Sequence, residues 1–176
     1  MASSIVGFRV GARDVEVMVS PMTTLQSALR NQLGLTAVKE GCRQGGCGSC
    51  TVLVDGEPMM SCLLPVEDVA GRTVTTVEAI TPAEGLHPIQ RAFLDANGFQ
   101  CGYCTPGMVM MAKALVDHNP SPSRDEIVDA LAGNICRCTG YLPIIEAIEH
   151  AAAAGISAGN ATGASSASAT HEEAGR

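Results

Sequence analysis

Eight cysteines in two sets constrain this chain more than any other feature. Cys42, Cys47 and Cys50 stand at C-x4-C-x2-C spacing, and Cys62 follows after eleven intervening residues. Cys101 and Cys104 form a C-x2-C pair, and Cys136 and Cys138 a C-x-C pair. The start, MASSIVGFRVGARD, is neither a basic-then-apolar secretory signal nor a twin-arginine one, so a cytoplasmic, reducing setting is expected. There, thiols serve as metal ligands rather than as four disulfides. Density agrees, since 8 cysteines in 176 residues is about 4.5%, below the roughly 8–10% of disulfide scaffolds.

The first set lies in KEGCRQGGCGSC, residues 39–50, where Gly41, Gly45, Gly46 and Gly48 permit sharp turns with positive φ. Its spacing is that of a plant-type [2Fe-2S] site. Two bridged irons need four converging thiolates and backbone N–H groups aimed at the sulfurs, and a glycine loop supplies both. A structural zinc site is the competing reading, but zinc favours paired C-x2-4-C knuckles over three cysteines in one loop with a distant fourth. For the second set, a four-cysteine zinc site stays open beside a cluster. Each of its pairs is followed by a threonine and a helix start, Thr105-Pro106 and Thr139-Gly140 before Pro143. Both pairs are therefore expected at helix N-termini, whose free N–H groups favour thiolates.

Hydrophobic residues make up 46% and charged residues 16%, enough to bury a core. Alternation predicts strands over 5–10 and 15–20 joined at Gly11-Ala12-Arg13-Asp14. A helix capped by Thr23 or Thr24 carries Leu25, Ala28, Leu29 and Leu33 and stops at Gly34. Strands over 51–54, near 59–62 and over 72–77 complete a small mixed sheet, with an Asp55-Gly56 turn. At Thr81 the texture changes, and helices are expected at about 88–97, 106–118, 123–132 and 141–154. Ser123 and Glu126 form a capping box for the third.

The expected layout is a domain over 1–80, a helical domain over 81–155 and a disordered Gly/Ala/Ser/Thr tail over 156–176. Met108, Met111, Ala112 and Leu115 share one helix face and read as core. His87, His118, His150 and His171 are scattered and read as surface residues. A net charge of −7 is the wrong sign for nucleic acid, and no apolar run reaches the roughly 18–20 residues of a membrane span. No hydroxyl nucleophile with a base, Walker loop or dinucleotide glycine motif is present.

EGCRQGGCGSCTVLVDGE, QCGYCTPGM and NICRCTGY together resemble the small iron-sulfur subunit of the molybdenum hydroxylases, the xanthine dehydrogenase and aldehyde oxidase family. The resemblance runs from about residue 5 to 155. It implies an α+β chain with an N-terminal ferredoxin-like β-grasp domain and a C-terminal four-helix bundle, each holding one [2Fe-2S] cluster. It assigns Cys42, Cys47, Cys50 and Cys62 to the cluster nearer a flavin, and Cys101, Cys104, Cys136 and Cys138 to the cluster nearer molybdenum. Gln100 matches the glutamine that bonds the pterin, which Cys138 also approaches. Two partners are further implied, a large subunit carrying the molybdenum-pterin cofactor and a medium one carrying FAD, assembled as a dimer of heterotrimers. Apolar partner interfaces are expected near Gln100 and Tyr103.

The role implied is single-electron transfer from molybdenum to FAD within an oxidoreductase. A stand-alone two-cluster ferredoxin and a zinc-stabilised interaction module are the alternatives. The family oxidises purines, N-heteroaromatics, aldehydes, carbon monoxide or aromatic thioesters through nearly the same small iron-sulfur chain. Arg43-Gln44-Gly45-Gly46 resembles the purine and aldehyde branch more than the carbon monoxide branch. Ser49 stands where many relatives carry alanine, a small-for-small change.

Overall fold

The computed structural model of the chain describes residues 3–155; the tail expected over 156–176, with His171, lies outside them. The chain runs through strands β1 (Ser4–Val10) and β2 (Arg13–Val19), helix α1 (Leu25–Asn31), strands β3 (Thr51–Val54) and β4 (Glu57–Met60), a 3₁₀ turn (Val66–Val69) and β5 (Thr73–Thr75). Then come helices α2 (Val77–Ile80), α3 (Pro88–Asp95), α4 (Thr105–His118), α5 (Arg124–Leu131) and α6 (Leu142–Ala153). The architecture is α+β, a mixed sheet followed by helices.

The sheet has the order β2-β1-β5-β3-β4, with β1 and β5 parallel and the other neighbours antiparallel. Alternation does its work in β1, where Val6, Phe8 and Val10 turn to one face and are buried. Leu25, Ala28 and Leu29 of α1 join them, and Thr24 caps that helix by accepting the Ser27 N–H. The hairpin is tighter than the four-residue link expected. Gly11 at φ 57° turns the chain within Gly11-Ala12, so Arg13 already pairs with Val10. The return strand likewise begins at Glu57, because Asp55 and Gly56 both take positive φ.

A second core gathers Ile89, Phe93, Met108, Ala112, Ile127, Ile144 and Ile148 from α3, α4, α5 and α6. The Ser123–Glu126 capping box forms as the sequence predicts. Met108 and Ala112 are buried and Met111 and Leu115 partly so. Helix α4, however, buries more than the one face expected of it. Met110 is buried outside both cores, as is Leu53 of β3, because α4 lies against β3 and β4 as well as against its fellow helices. The short α2 and the 3₁₀ turn have no counterpart in the sequence pattern. His118 and His150 are exposed as expected, whereas His87 is half-buried and caps α3 through Nδ1.

The sheet and the helices meet backbone to backbone. A methyl at Gly107, in the first turn of α4, would run into the Gly48 carbonyl oxygen, and one at Gly48 would lie 2.6 Å from Asn134 Cγ. Alanine is the better helix former by about 0.8–1.0 kcal/mol, so the sign of a Gly107→Ala change reports whether this junction can yield. A carbonyl held by its own loop cannot step aside as a side chain could. Gly107→Ala should therefore destabilise by roughly 1–3 kcal/mol, seen as a lower denaturant midpoint. Gly133→Ala, whose new methyl would stand 3.6 Å from Met60 Cε, should be near neutral.

Candidate metal centres

The loop between α1 and β3 carries three of the first four thiols, and positive φ at Arg43, Gly45 and Gly48 curls it. Cys50 and Cys62 are buried, while Cys42 and Cys47 are half-exposed. Gln44 N–H and Gly46 N–H donate to Cys42 Sγ at 3.5 and 3.3 Å. The Gln44 bond foremost, then the Cys47 side chain and the Gly46 bond, pull the Cys42 thiol down to about 7. Burial, followed by the neighbouring Cys50 thiol, pushes Cys62 up to about 11. Ser49 Oγ lies 3.5 Å from Cys47 Sγ. A Cβ at Gly41 would stand 2.7 Å from Cys47 Sγ, so that space belongs to the sulfur.

In the second set Cys104 is buried at the N-cap position of α4, where its side chain makes no capping bond, Cys136 is half-buried, and Cys101 and Cys138 are exposed with their sulfurs 3.6 Å apart. Burial, then Cys136, pushes the Cys104 thiol up to about 12. The Cys101 side chain raises Cys138. Burial also acts to raise Cys136, but hydrogen bonds from Thr139 and from the Cys138 N–H outweigh it and hold that thiol below its ordinary value.

The helix-terminus expectation holds for one cysteine only, Cys104. Cys104 is at the start of α4, yet Cys136 and Cys138 lie in a turn ahead of Tyr141, which takes φ 69° before α6 begins. A dipole that fades within one turn reaches them weakly. Thr105 caps nothing: it is the first helical residue and its hydroxyl is buried without a partner. Thr139 donates instead to Cys136 Sγ, through Oγ1 at 3.1 Å and its N–H at 3.5 Å.

Within each set the sulfurs bond in twos, Cys42 with Cys47, Cys50 with Cys62, Cys101 with Cys138 and Cys104 with Cys136, and the charge of one two is felt by the other, Cys42 by Cys62 and Cys101 by Cys104. Two irons, each with two terminal thiolates, match a two-by-two arrangement. Loop N–H donors and the glycine cradle around Cys47 complete the fit.

Several residues that carry the site leave no mark in the spacing of the sequence. Ile135 N–H donates to the Cys47 carbonyl at 2.9 Å, and Asn134 Nδ2 donates to the Gly48 carbonyl at 3.1 Å. Tyr103 Oη donates to the Glu40 carbonyl at 2.7 Å. Tyr141 Oη accepts the Cys136 N–H at 2.9 Å and donates to the Asn134 carbonyl at 3.1 Å. Gln100 is exposed beside Phe99 and Cys101.

In the chain freed of iron, iodoacetamide should label Cys42 first, because the thiolate is the nucleophile. Its rate should rise with pH to half-maximum near pH 7, while Cys62 and Cys104 resist at that pH. Equal labelling of all eight by mass spectrometry at pH 7 would contradict the loop geometry.

Two family models cover most of the chain, a 2Fe-2S iron-sulfur cluster binding domain over residues 8–75 and a [2Fe-2S] binding domain over 76–149. The nicotinate dehydrogenase small FeS subunit of Eubacterium barkeri is 44% identical, the match covering 77% of this chain and 86% of that one. Aldehyde oxidoreductase of Megalodesulfovibrio gigas is 43% identical over 82% of this chain and 16% of its own. The crystal structure of quinoline 2-oxidoreductase from Pseudomonas putida 86 superposes with a TM-score of 0.82 at 41% identity, covering 87% of this chain and 98% of that chain. With two [2Fe-2S] binding domains in tandem and relatives of this closeness, the chain belongs to the iron-sulfur subunits of the molybdenum hydroxylase family.

Proposed function

We propose that this chain passes electrons singly from a molybdenum-pterin site on a large subunit to FAD on a medium subunit. Cys42, Cys47, Cys50 and Cys62 hold the cluster nearer FAD, in a β-grasp domain over 1–80. Cys101, Cys104, Cys136 and Cys138 hold the one nearer molybdenum, in a four-helix bundle over 81–155. When bound, such clusters take up and release one electron each. The observation that carries this reading is the Ile135–Cys47 hydrogen bond, which ties the two thiol-bearing loops directly together. A relay needs its centres fixed at a short separation, and a backbone bond adjoining Cys136 supports that.

Exposure supports the entry point. Cys101 and Cys138 are exposed, and Tyr103, Ile135 and Leu142 are exposed too. Between α3 and α4 an apolar groove lined by Leu86, Phe93, Leu94, Phe99, Pro106 and Val109 runs close to Gln100. The large subunit covers this side, with Gln100 and Cys138 meeting the pterin. The complex is a cytoplasmic dimer of heterotrimers. Its substrate is an N-heteroaromatic compound of the pyridine or quinoline kind, ahead of purines and aldehydes, with carbon monoxide last. The small chain of nicotinate dehydrogenase and the quinoline 2-oxidoreductase chain, both matched over most of their own length, favour that order.

Metal and flavin analysis of the complex isolated with this chain should find about four iron, one molybdenum and one FAD per chain, as two [2Fe-2S] sites require. Iron without molybdenum would favour a free ferredoxin, and zinc in place of iron would end the cluster reading. Cys104→Ser or Cys138→Ser should remove one electron paramagnetic resonance signal and halve the iron. It should stop electron flow from substrate to flavin while the other signal persists. Loss of both signals would refute separate sites in separate domains.

A further inference from the structure

We infer that Thr139 is a positioning residue that sets the reduction potential of the cluster in the helical domain, by donating its hydroxyl hydrogen to Cys136 Sγ. The inference rests on the cluster reading above and adds a role for a residue outside the eight thiols. Thr139 Oγ1 lies 3.1 Å from Cys136 Sγ. The same oxygen accepts the Tyr141 N–H at 3.2 Å. With a lone pair occupied from that side, the hydroxyl hydrogen is left to point at the sulfur. Thr139 N–H reaches the same sulfur at 3.5 Å, so two donors from one residue converge there.

The donor is held in place by its surroundings. Tyr141 Oη takes the Cys136 N–H and donates to the Asn134 carbonyl, which closes the turn 134–141 on itself. Asn134 and Ile135 are in turn bonded to the glycine loop of the other domain. Threonine's branched Cβ adds stiffness at χ1. At Cys42 the donors to sulfur are the backbone N–H groups of Gln44 and Gly46, which no side-chain substitution removes. Ser49, the hydroxyl beside Cys47, is farther off at 3.5 Å. Thr139 is therefore a place where one side chain can change the field at a thiol sulfur while the backbone N–H donors stay, although its removal also takes the acceptor from the Tyr141 N–H.

The direction of the effect follows from charge. One-electron reduction adds negative charge to the cluster and its thiolates, and a hydrogen bond to a charged acceptor is the stronger kind. The hydroxyl thus stabilises the reduced form more than the oxidised form and raises the potential.

The test is a redox titration of the intact complex followed by electron paramagnetic resonance, with the two signals assigned through Cys138→Ser. Thr139→Val should lower the midpoint of the helical-domain cluster and leave the other unmoved. Thr139→Ser, which keeps the hydroxyl, should restore it, as a packing role of the threonine methyl would not. Ser49→Ala should leave the helical-domain midpoint where it was. An unchanged midpoint in Thr139→Val with iron intact would overturn the inference. So would an equal shift of both clusters, or loss of that cluster's iron in Thr139→Val, since a tuning donor does not hold the metal. Absence of both signals in the unaltered complex would instead strike the cluster reading itself.

Discussion

The Gly48 carbonyl is the point on which the arrangement depends. Gly107 backs directly onto it, the Asn134 amide donates to it, and one residue earlier the Cys47 carbonyl accepts the Ile135 N–H. Main chain meets main chain at Gly107 and at Ile135, with the Asn134 amide the side chain between, so the spacing of the two thiol sets is stiffer than packing through side chains alone would allow. Each thiol loop forms part of the other domain's wall. Asn134 is buried with its Oδ1 unpartnered, and an orphaned buried acceptor costs about 1–3 kcal/mol. What it returns is a donor that no apolar residue could supply at that carbonyl.

Within the sites, neutral donors rather than cations meet the sulfurs. The donors to the thiol sulfurs include the N–H groups of Gln44, Gly46 and Cys138 and the N–H and hydroxyl of Thr139. A chain of net charge −7 can therefore hold thiolates without a basic cradle. The sulfurs are graded, from Cys42 at about 7 to Cys62 at about 11 and Cys104 at about 12. The buried thiols ionise only against a stronger field than the protein provides, which is what a metal centre brings, and metal binding then releases their protons.

How much can be read before folding differs from one element to the next. The hairpin, α1 and α5 follow from patterns that act over a few residues, namely alternation in β1, a Thr24 cap and the Ser123–Glu126 box. Helix α4 reads as one-faced in sequence because Lys113 and Asp117 lie opposite its apolar stripe. The structure pairs these two at 2.7 Å, partly buried, and sets the sheet against the flank that carries Met110. Thr105 and Thr139 look alike in sequence, each a threonine between a cysteine pair and a helix. Only the path of the chain makes one a helical residue with a buried, idle hydroxyl and the other a donor to Cys136.

The chemistry is legible before any folding: eight thiols in two spacings, a glycine loop able to curl around four of them, and a change from alternation to helical periodicity near Thr81. Those are local properties, because spacing, φ freedom and periodicity are carried by neighbouring residues. Tertiary structure alone decided which sulfurs pair, which are exposed, and which groups donate to them. It also brought Tyr103 to Glu40, Asn134 to Gly48 and Ile135 to Cys47, across separations of 63, 86 and 88 residues in the chain. No local pattern encodes such contacts. They exist because two cores, each folded on its own periodicity, come to rest with two glycines between them.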